Sequence, residues 1–231
     1  MKEIIPIKLG FVNCYLIKTD TGFILIDSGC SGDFHKIEEA LDNAGCLPGN
    51  LKLIIITHGD GDHTGSASYI RNKYDSVIAM HKYDSDMAES FDKKTDRLKK
   101  RKAKGLVSGI MWKTVMFISC MKFNREKEKA AFSGFKPGVY LDDGQDLNEY
   151  GFPAKVLYIP GHTNGSIGIL TGTGDLFCGD LLYNYKKPAV WPQGEDLKAI
   201  DSSVERLKKF KIGMVYPGHG KPFGMNSMGV K

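Results

Sequence analysis

Short apolar runs alternate along this chain with segments whose apolar residues recur at helical spacing, and the theme is repeated in two halves. Phe11 to Lys18 and Gly22 to Asp27 predict two short strands around a Thr-Asp-Thr-Gly turn. Asp33 to Ala44 puts Phe34, Ile37 and Leu41 on one side of a helix. Leu51 to Thr57 (LKLIIIT) is a compact β-branched run that ends in a Gly/Asp-rich loop, the pattern of a buried strand delivering residues to a site. A helix over Ser66 to Tyr74 and a strand around Ser76 to His81 follow. In the second half, Lys155 to Ile159, Ser166 to Thr171 and Asp175 to Cys178 predict strands. Ser202 to Lys209 predicts a helix and Ile212 to Tyr216 a last strand.

Between the halves the pattern changes. Lys82 to Phe135 opens as a charged helical stretch running to Lys104 and continues as an apolar, Met-rich stretch from Leu106 to Phe123. With no Pro until Pro137, two helices joined near Lys104-Gly105 are the simplest expectation, an insertion at about 82–135 within a single domain spanning 1–231. The apolar stretch has no polar face, so something must cover it: its partner helix and the core, the site beneath it as a lid, or a second copy in a homodimer.

Charge changes this picture locally. Asp92 to Lys104 carries eight Lys or Arg against two Asp, and a net charge of +5 for the chain leaves the remainder slightly acidic. The default reading is a solvated helix face, and nucleic acid is weakly supported because no aromatic residues are interleaved for stacking. The five cysteines have no CxxC pair and no regular spacing, which fits a reducing compartment. Met1 to Gly10 lacks the order of a signal peptide, and no apolar run is long enough for a membrane span. These features predict a cytoplasmic protein with no transmembrane segment.

Four of the six histidines fall in three short loops, each beside a glycine and after an expected strand. The first is Thr57-His58-Gly59-Asp60-Gly61-Asp62-His63-Thr64-Gly65, the second Pro160-Gly161-His162-Thr163, the third Pro217-Gly218-His219-Gly220; Cys178-Gly179-Asp180 ends another strand with a carboxylate. Glycines let a tight loop aim several side chains at one centre, and imidazole and carboxylate are the donors of catalytic zinc, iron and manganese sites. His35 and His81 lie outside these motifs. Cys30 and Cys178 read as small core residues, and Tyr183 and Asn184 as loop residues with a possible hydrogen bond to substrate.

The loops, with the VNCYLI and ILIDSG stretches before them, resemble the metallo-β-lactamase superfamily, whose signature is H-x-H-x-D-H followed by a separated His, Asp and His. The resemblance runs from Asn13 to Pro222 apart from the 82–135 segment. It implies an α/β (α+β) fold, a four-layer αββα sandwich with a helical insertion. It further implies two divalent ions, with zinc foremost. His58, Asp60 and His162 would hold the first, Asp62, His63 and His219 the second, and Asp180 would bridge them. Asp27 would support the site from behind. Asp62 would also orient the metal-bound hydroxide and carry a proton to the leaving group. Asp60 stands where the family usually has His, which admits iron or manganese. The implied activity is hydrolysis of an ester, thioester, lactone or amide of a small molecule. Phosphodiester hydrolysis of the nuclease type, or an iron-dependent redox reaction on the same fold, are the alternatives.

Overall fold

The computed structural model describes residues 3–104, 129 and 131–228. A six-stranded sheet takes its strands in the order β1 (Glu3–Leu9), β2 (Val12–Lys18), β3 (Phe23–Ile26), β4 (Leu51–Ile56), β5 (Ile78–Met80) and β7 (Val139–Tyr140). The first three strands run antiparallel, and β3, β4, β5 and β7 are parallel. A five-stranded sheet has the order β16 (Phe223–Gly224), β14 (Met214–Tyr216), β10 (Asp175–Phe177), β9 (Ile167–Thr171) and β8 (Ala154–Tyr158). Two small ladders complete the strands. One joins β12 (Pro188–Val190), β11 (Leu182–Asn184) and β15 (His219–Gly220); the other pairs β13 (Gln193–Gly194) with β6 (Lys102–Ala103).

Side-chain alternation along these strands makes the layers. In β2, Cys14 and Leu16 face one way and Tyr15 and Ile17 the other; in β3 and β4 the same split separates Leu25, Ile54 and Ile56 from Ile24, Ile26, Leu53 and Ile55. The first set packs on helices α1 (Phe34–Asn43) and α3 (Ala67–Tyr74) through Ile37, Leu41, Ala67, Ile70 and Tyr74. The second set meets Val156, Ile167, Ile169 and Phe177 of the other sheet. That sheet turns Leu157, Leu176 and Val215 outward onto Ile200, Val204 and Leu207 of helix α6 (Leu197–Leu207). Three apolar interfaces therefore separate four layers, helix, sheet, sheet, helix, because strands with both faces buried must be covered on both sides.

Several elements differ from the sequence expectation for identifiable reasons. β1 is absent from it because Glu3, Pro6 and Lys8 break the apolar pattern; as an edge strand β1 tolerates Pro6, whose missing N–H costs no ladder bond there. α6 begins five residues before Ser202, since the Asp196 side chain accepts from the N–H groups of Lys198 and Ala199 and caps it earlier. The charged stretch forms α4 (Ser85–Glu89) and α5 (Phe91–Lys100), but helix stops at Lys100, short of the expected Lys104. Arg101 is extended and Lys102–Ala103 pair with β13, so a tertiary ladder overrides helical continuation. The apolar run at 106–123 lies outside the described residues. Among those residues no helix is long and apolar enough to cross a membrane.

Candidate metal centre

All four ligand-type loops sit at strand ends along one edge of the sandwich. After β4 the chain passes through Thr57-His58-Gly59-Asp60 into the single turn α2 (Gly61–Thr64), which carries Asp62 and His63. His162 follows β8, Asp180 follows β10, and His219 lies in β15 just beyond β14. Close approach requires two of the glycines. A Cβ on Gly161, whose φ is +134°, would meet the Ile200 backbone nitrogen. One on Gly218 would lie 2.5 Å from Asp180 Oδ1 and 2.7 Å from His63 Cε1.

The structure brings all seven predicted residues together. His58, Asp60 and His162 have donor atoms within 4.8 Å of one another, as do His58, His63 and Asp180, and Asp62, His63 and His219. His162 Nε2 is 3.0 Å from Asp60 Oδ2, His63 Nε2 is 3.4 Å from Asp180 Oδ1, and His219 Nε2 is 3.2 Å from Asp180 Oδ2 and 3.4 Å from Asp62 Oδ2. Six of the seven are buried; Asp62 is half-buried, its side chain 24% exposed.

The far side of every imidazole is fixed by an oxygen. Asp27 Oδ2 accepts from His63 Nδ1 at 2.8 Å, Gln193 O from His162 Nδ1 at 3.1 Å, and Phe11 O from His219 Nδ1 at 2.8 Å. The Thr57 hydroxyl donates its one proton to Asp27, so Thr57 Oγ1 accepts from His58 Nδ1 at 3.0 Å. With Nδ1–H committed four times, neutral rings turn four Nε2 lone pairs toward three carboxylates. Such a set repels itself unless a cation lies between its members. His58 Nε2, His63 Nε2 and Asp180 Oδ1 are buried with no hydrogen-bond partner among the described residues. The donor chemistry and these orphaned atoms fit divalent metal. Burial opposes the charged form of His219, yet the Asp180 and Asp62 carboxylates outweigh it and raise the ring to about 10, so without metal a proton on this ring takes the place of the cation that the carboxylates demand. Asp27, predicted as a supporting acid, adopts φ +60° and also accepts from the Thr57 backbone N–H at 2.8 Å.

Sequence reasoning did not single out Arg101. Its guanidinium, 2% exposed, donates to both oxygens of Asp60 at 2.5 and 2.6 Å, with Nη1 3.4 Å from His162 Nε2. Burial works to raise the Asp60 carboxyl, but Arg101, His162 and His58 hold it well below the usual carboxylate range. Burial first and Arg101 second push His162 down, toward the neutral ring. Arg97, from the same basic run, is also turned inward: it pairs with Asp84 and Asp86 at 2.7 Å and with Glu195 at 2.6 Å. Asp84, fully buried, accepts from the N–H groups of Gly59 and Gly165 and from Thr163, tying the first two ligand loops together. The solvated helix face expected of this run is thus interrupted by two internal arginines.

A cavity of about 250 Å³ opens on the cluster, walled by Asp60, Asp62, Arg101, His162, Asp180 and His219 with Phe11, Leu98, Tyr185 and Trp191 at its rim. Trp191 stacks on the His219 ring at 4.9 Å. Tyr183 packs edge-on against Trp191, and Asn184 donates to Lys221 O. His35 is exposed at the surface, and His81 is buried, its ring accepting from the Tyr83 N–H. Burial pushes the thiols of Cys30 and Cys178 up to about 12, far from a nucleophile's range.

Comparison with known proteins agrees with this architecture. The sequence profile of the metallo-beta-lactamase superfamily matches residues 7–219. A "Probable metallo-hydrolase" of Methanocaldococcus jannaschii is 30% identical, covering 90% of this chain and 87% of its own. The hydroxyacylglutathione hydrolase GloC of Haemophilus influenzae is 28% identical over 94% of this chain and 90% of its own. A "Beta-lactamase-like protein 2 homolog" of Caenorhabditis elegans is 26% identical over 93% of this chain, which spans 58% of that relative's length. Among solved structures, TTHA1623 in a di-iron-bound form superposes with a TM-score of 0.64 at 25% identity, covering 96% of this chain and 95% of its own. The BLEG-1 B3 metallo-beta-lactamase shares the fold with a TM-score of 0.72 at 20% identity, over 97% and 95% of the two chains. With a matching profile over nearly its whole length and the same layered fold, the chain belongs to the metallo-beta-lactamase superfamily, a family of metal-dependent hydrolases.

Proposed function

We propose that this protein hydrolyses an acyl bond, an ester, thioester, lactone or amide, of a small molecule, using divalent metal held by His58, Asp60, Asp62, His63, His162, Asp180 and His219. The observation that carries this reading is the convergence of four oriented imidazoles and three carboxylates on one small cavity, with buried donor atoms left unpartnered. Bound metal would supply an acidified water and polarise a substrate oxygen. Zinc suits the pair of imidazoles with a carboxylate around Asp62. The di-iron form of TTHA1623 and the Asp60 substitution keep iron in contention, and elemental analysis separates the two.

The chain's own residues do the rest. Asp62, on the cavity wall and half open to it, is placed to orient a water and to carry its proton to the leaving group. Asp27 fixes the His63 ring, and Trp191 and Phe11 flank His219 and keep one side of the cavity apolar.

An acyl substrate is preferred to a phosphodiester for two reasons. The relative from Haemophilus influenzae is named for hydrolysis of an acyl compound. The basic run that suggested nucleic acid spends Arg97 and Arg101 on internal carboxylates. The test is a comparison of acyl ester, thioester and phosphodiester substrates on metal-reconstituted protein, with Asp62→Ala beside it. Turnover of an acyl substrate, lowered by roughly 100-fold or more in the folded variant, is the expected result. Phosphodiester turnover alone would overturn the acyl reading, and full activity in Asp62→Ala would remove that residue from the chemistry.

A further inference from the structure

We propose that Arg101 is the resident cation of the cluster formed by His58, Asp60 and His162. The chain would then bind one divalent ion tightly around Asp62, His63, Asp180 and His219, and a second only when Arg101 is displaced. This rests on the reading of the seven residues as metal ligands and distinguishes two halves within them.

Position is the first argument. The guanidinium engages both Asp60 oxygens, and its Nη1 approaches His162 Nε2. A metal ion in this cluster needs the same lone pairs, so guanidinium and metal compete for them. Asp60 explains why the competition exists here: a carboxylate offers Arg101 a two-pronged partner, which a neutral imidazole at that position would not.

Construction is the second. Arg101 is not a surface side chain that has strayed inward. Its backbone N–H donates to Leu98 O at the end of α5, and Lys102–Ala103 pair with Gln193–Gly194. Gln193 O in turn holds the His162 ring. Upstream, Arg97 clamps the same helix to Asp84 and Glu195. Two arginines four residues apart thus lock one helix end onto the site, and the second delivers its charge into the cluster.

Charge is the third. Asp60 already has a cation of its own, whereas among the described residues Asp62 and Asp180 pair with histidines. Two carboxylates with no Lys or Arg partner among those residues are balanced by one dication. A further dication beside Asp60 would face the guanidinium across a buried gap, where like charges are poorly screened.

The experiment is metal stoichiometry. The full chain, Arg101→Ala and Arg101→Gln are stripped, dialysed to equilibrium against micromolar free zinc, and analysed for metal and protein, with circular dichroism checking the fold. One equivalent in the unaltered chain and two in either folded variant, a doubling of metal content, is the expected result. Should neither variant fold, the unaltered chain still decides, because two ions held there with similar affinity overturn the assignment. One equivalent in every protein also overturns it, while leaving the metal reading intact. No metal in any of them overturns the metal reading itself and this inference with it.

Discussion

Asp60 and Arg101 lie 41 positions apart and act as one unit, so neither can be exchanged alone without consequence. Restoring the histidine usual in the superfamily, Asp60→His, would leave Arg101 as a buried cation with no carboxylate. Removing one partner of a buried pair costs about 3–5 kcal/mol, and that is the destabilisation expected for Asp60→His in urea denaturation. Arg101→Met in the same background removes the stranded charge and is expected to recover most of the loss. A cost for Asp60→His below about 1 kcal/mol, the range of an exposed pair, would show that the guanidinium finds water or another partner and that the coupling is weak. The same residues expose the limit of reading ligands from a motif. The departure at Asp60 is visible in sequence; its compensation is not, because nothing local marks Arg101 among the basic residues around it.

α5 shows the same limit in an element. Its run of lysines and arginines reads as one solvated face, yet Lys99 is exposed with an i,i+3 partner in Asp96, while Arg97 is anchored on Asp84, Asp86 and Glu195. Arg97→Ala leaves the fully buried Asp84 without its counter-charge and frees Glu195, which accepts from the Asn164 N–H just after His162. A loss of about 3 kcal/mol is expected, against a change within about 0.5 kcal/mol for Lys99→Ala. Equal effects in thermal unfolding would return the whole run to surface charge. The strands and helices recovered from sequence, β2 to β5, β8 to β10, β14, α1 and α3, are those whose buried faces impose a period of two or 3.6. Those passed over include edge strand β1, with Pro6 and Lys8, and two- or three-residue strands such as those of the β6–β13 and β12–β11–β15 ladders. These are held by pairing with distant chain, which leaves no period to read.

At the scale of the molecule, the three apolar interfaces lie between the layers and the ligand cluster lies at their edge, so cohesion and chemistry are spatially separate. Metal is therefore not what holds the sandwich together, and the stripped protein should still unfold cooperatively. It should nevertheless be weaker, because three carboxylates and four inward-facing imidazoles converge with only Arg101 among them as a fixed cation in the described residues. An ion that binds only the folded state adds about 4 kcal/mol at a thousandfold excess over its dissociation constant. For a chain of 231 residues each kcal/mol moves the midpoint by about 2–4 °C, so saturating zinc should raise Tm by about 8–16 °C. Scanning calorimetry of stripped and reconstituted protein measures both the shift and the cooperativity. If the stripped chain shows no transition, the metal is part of the fold and the separation of core from site is wrong. A cooperative transition that zinc does not move would mean that the cluster, however well its imidazoles are aimed, does not bind that ion.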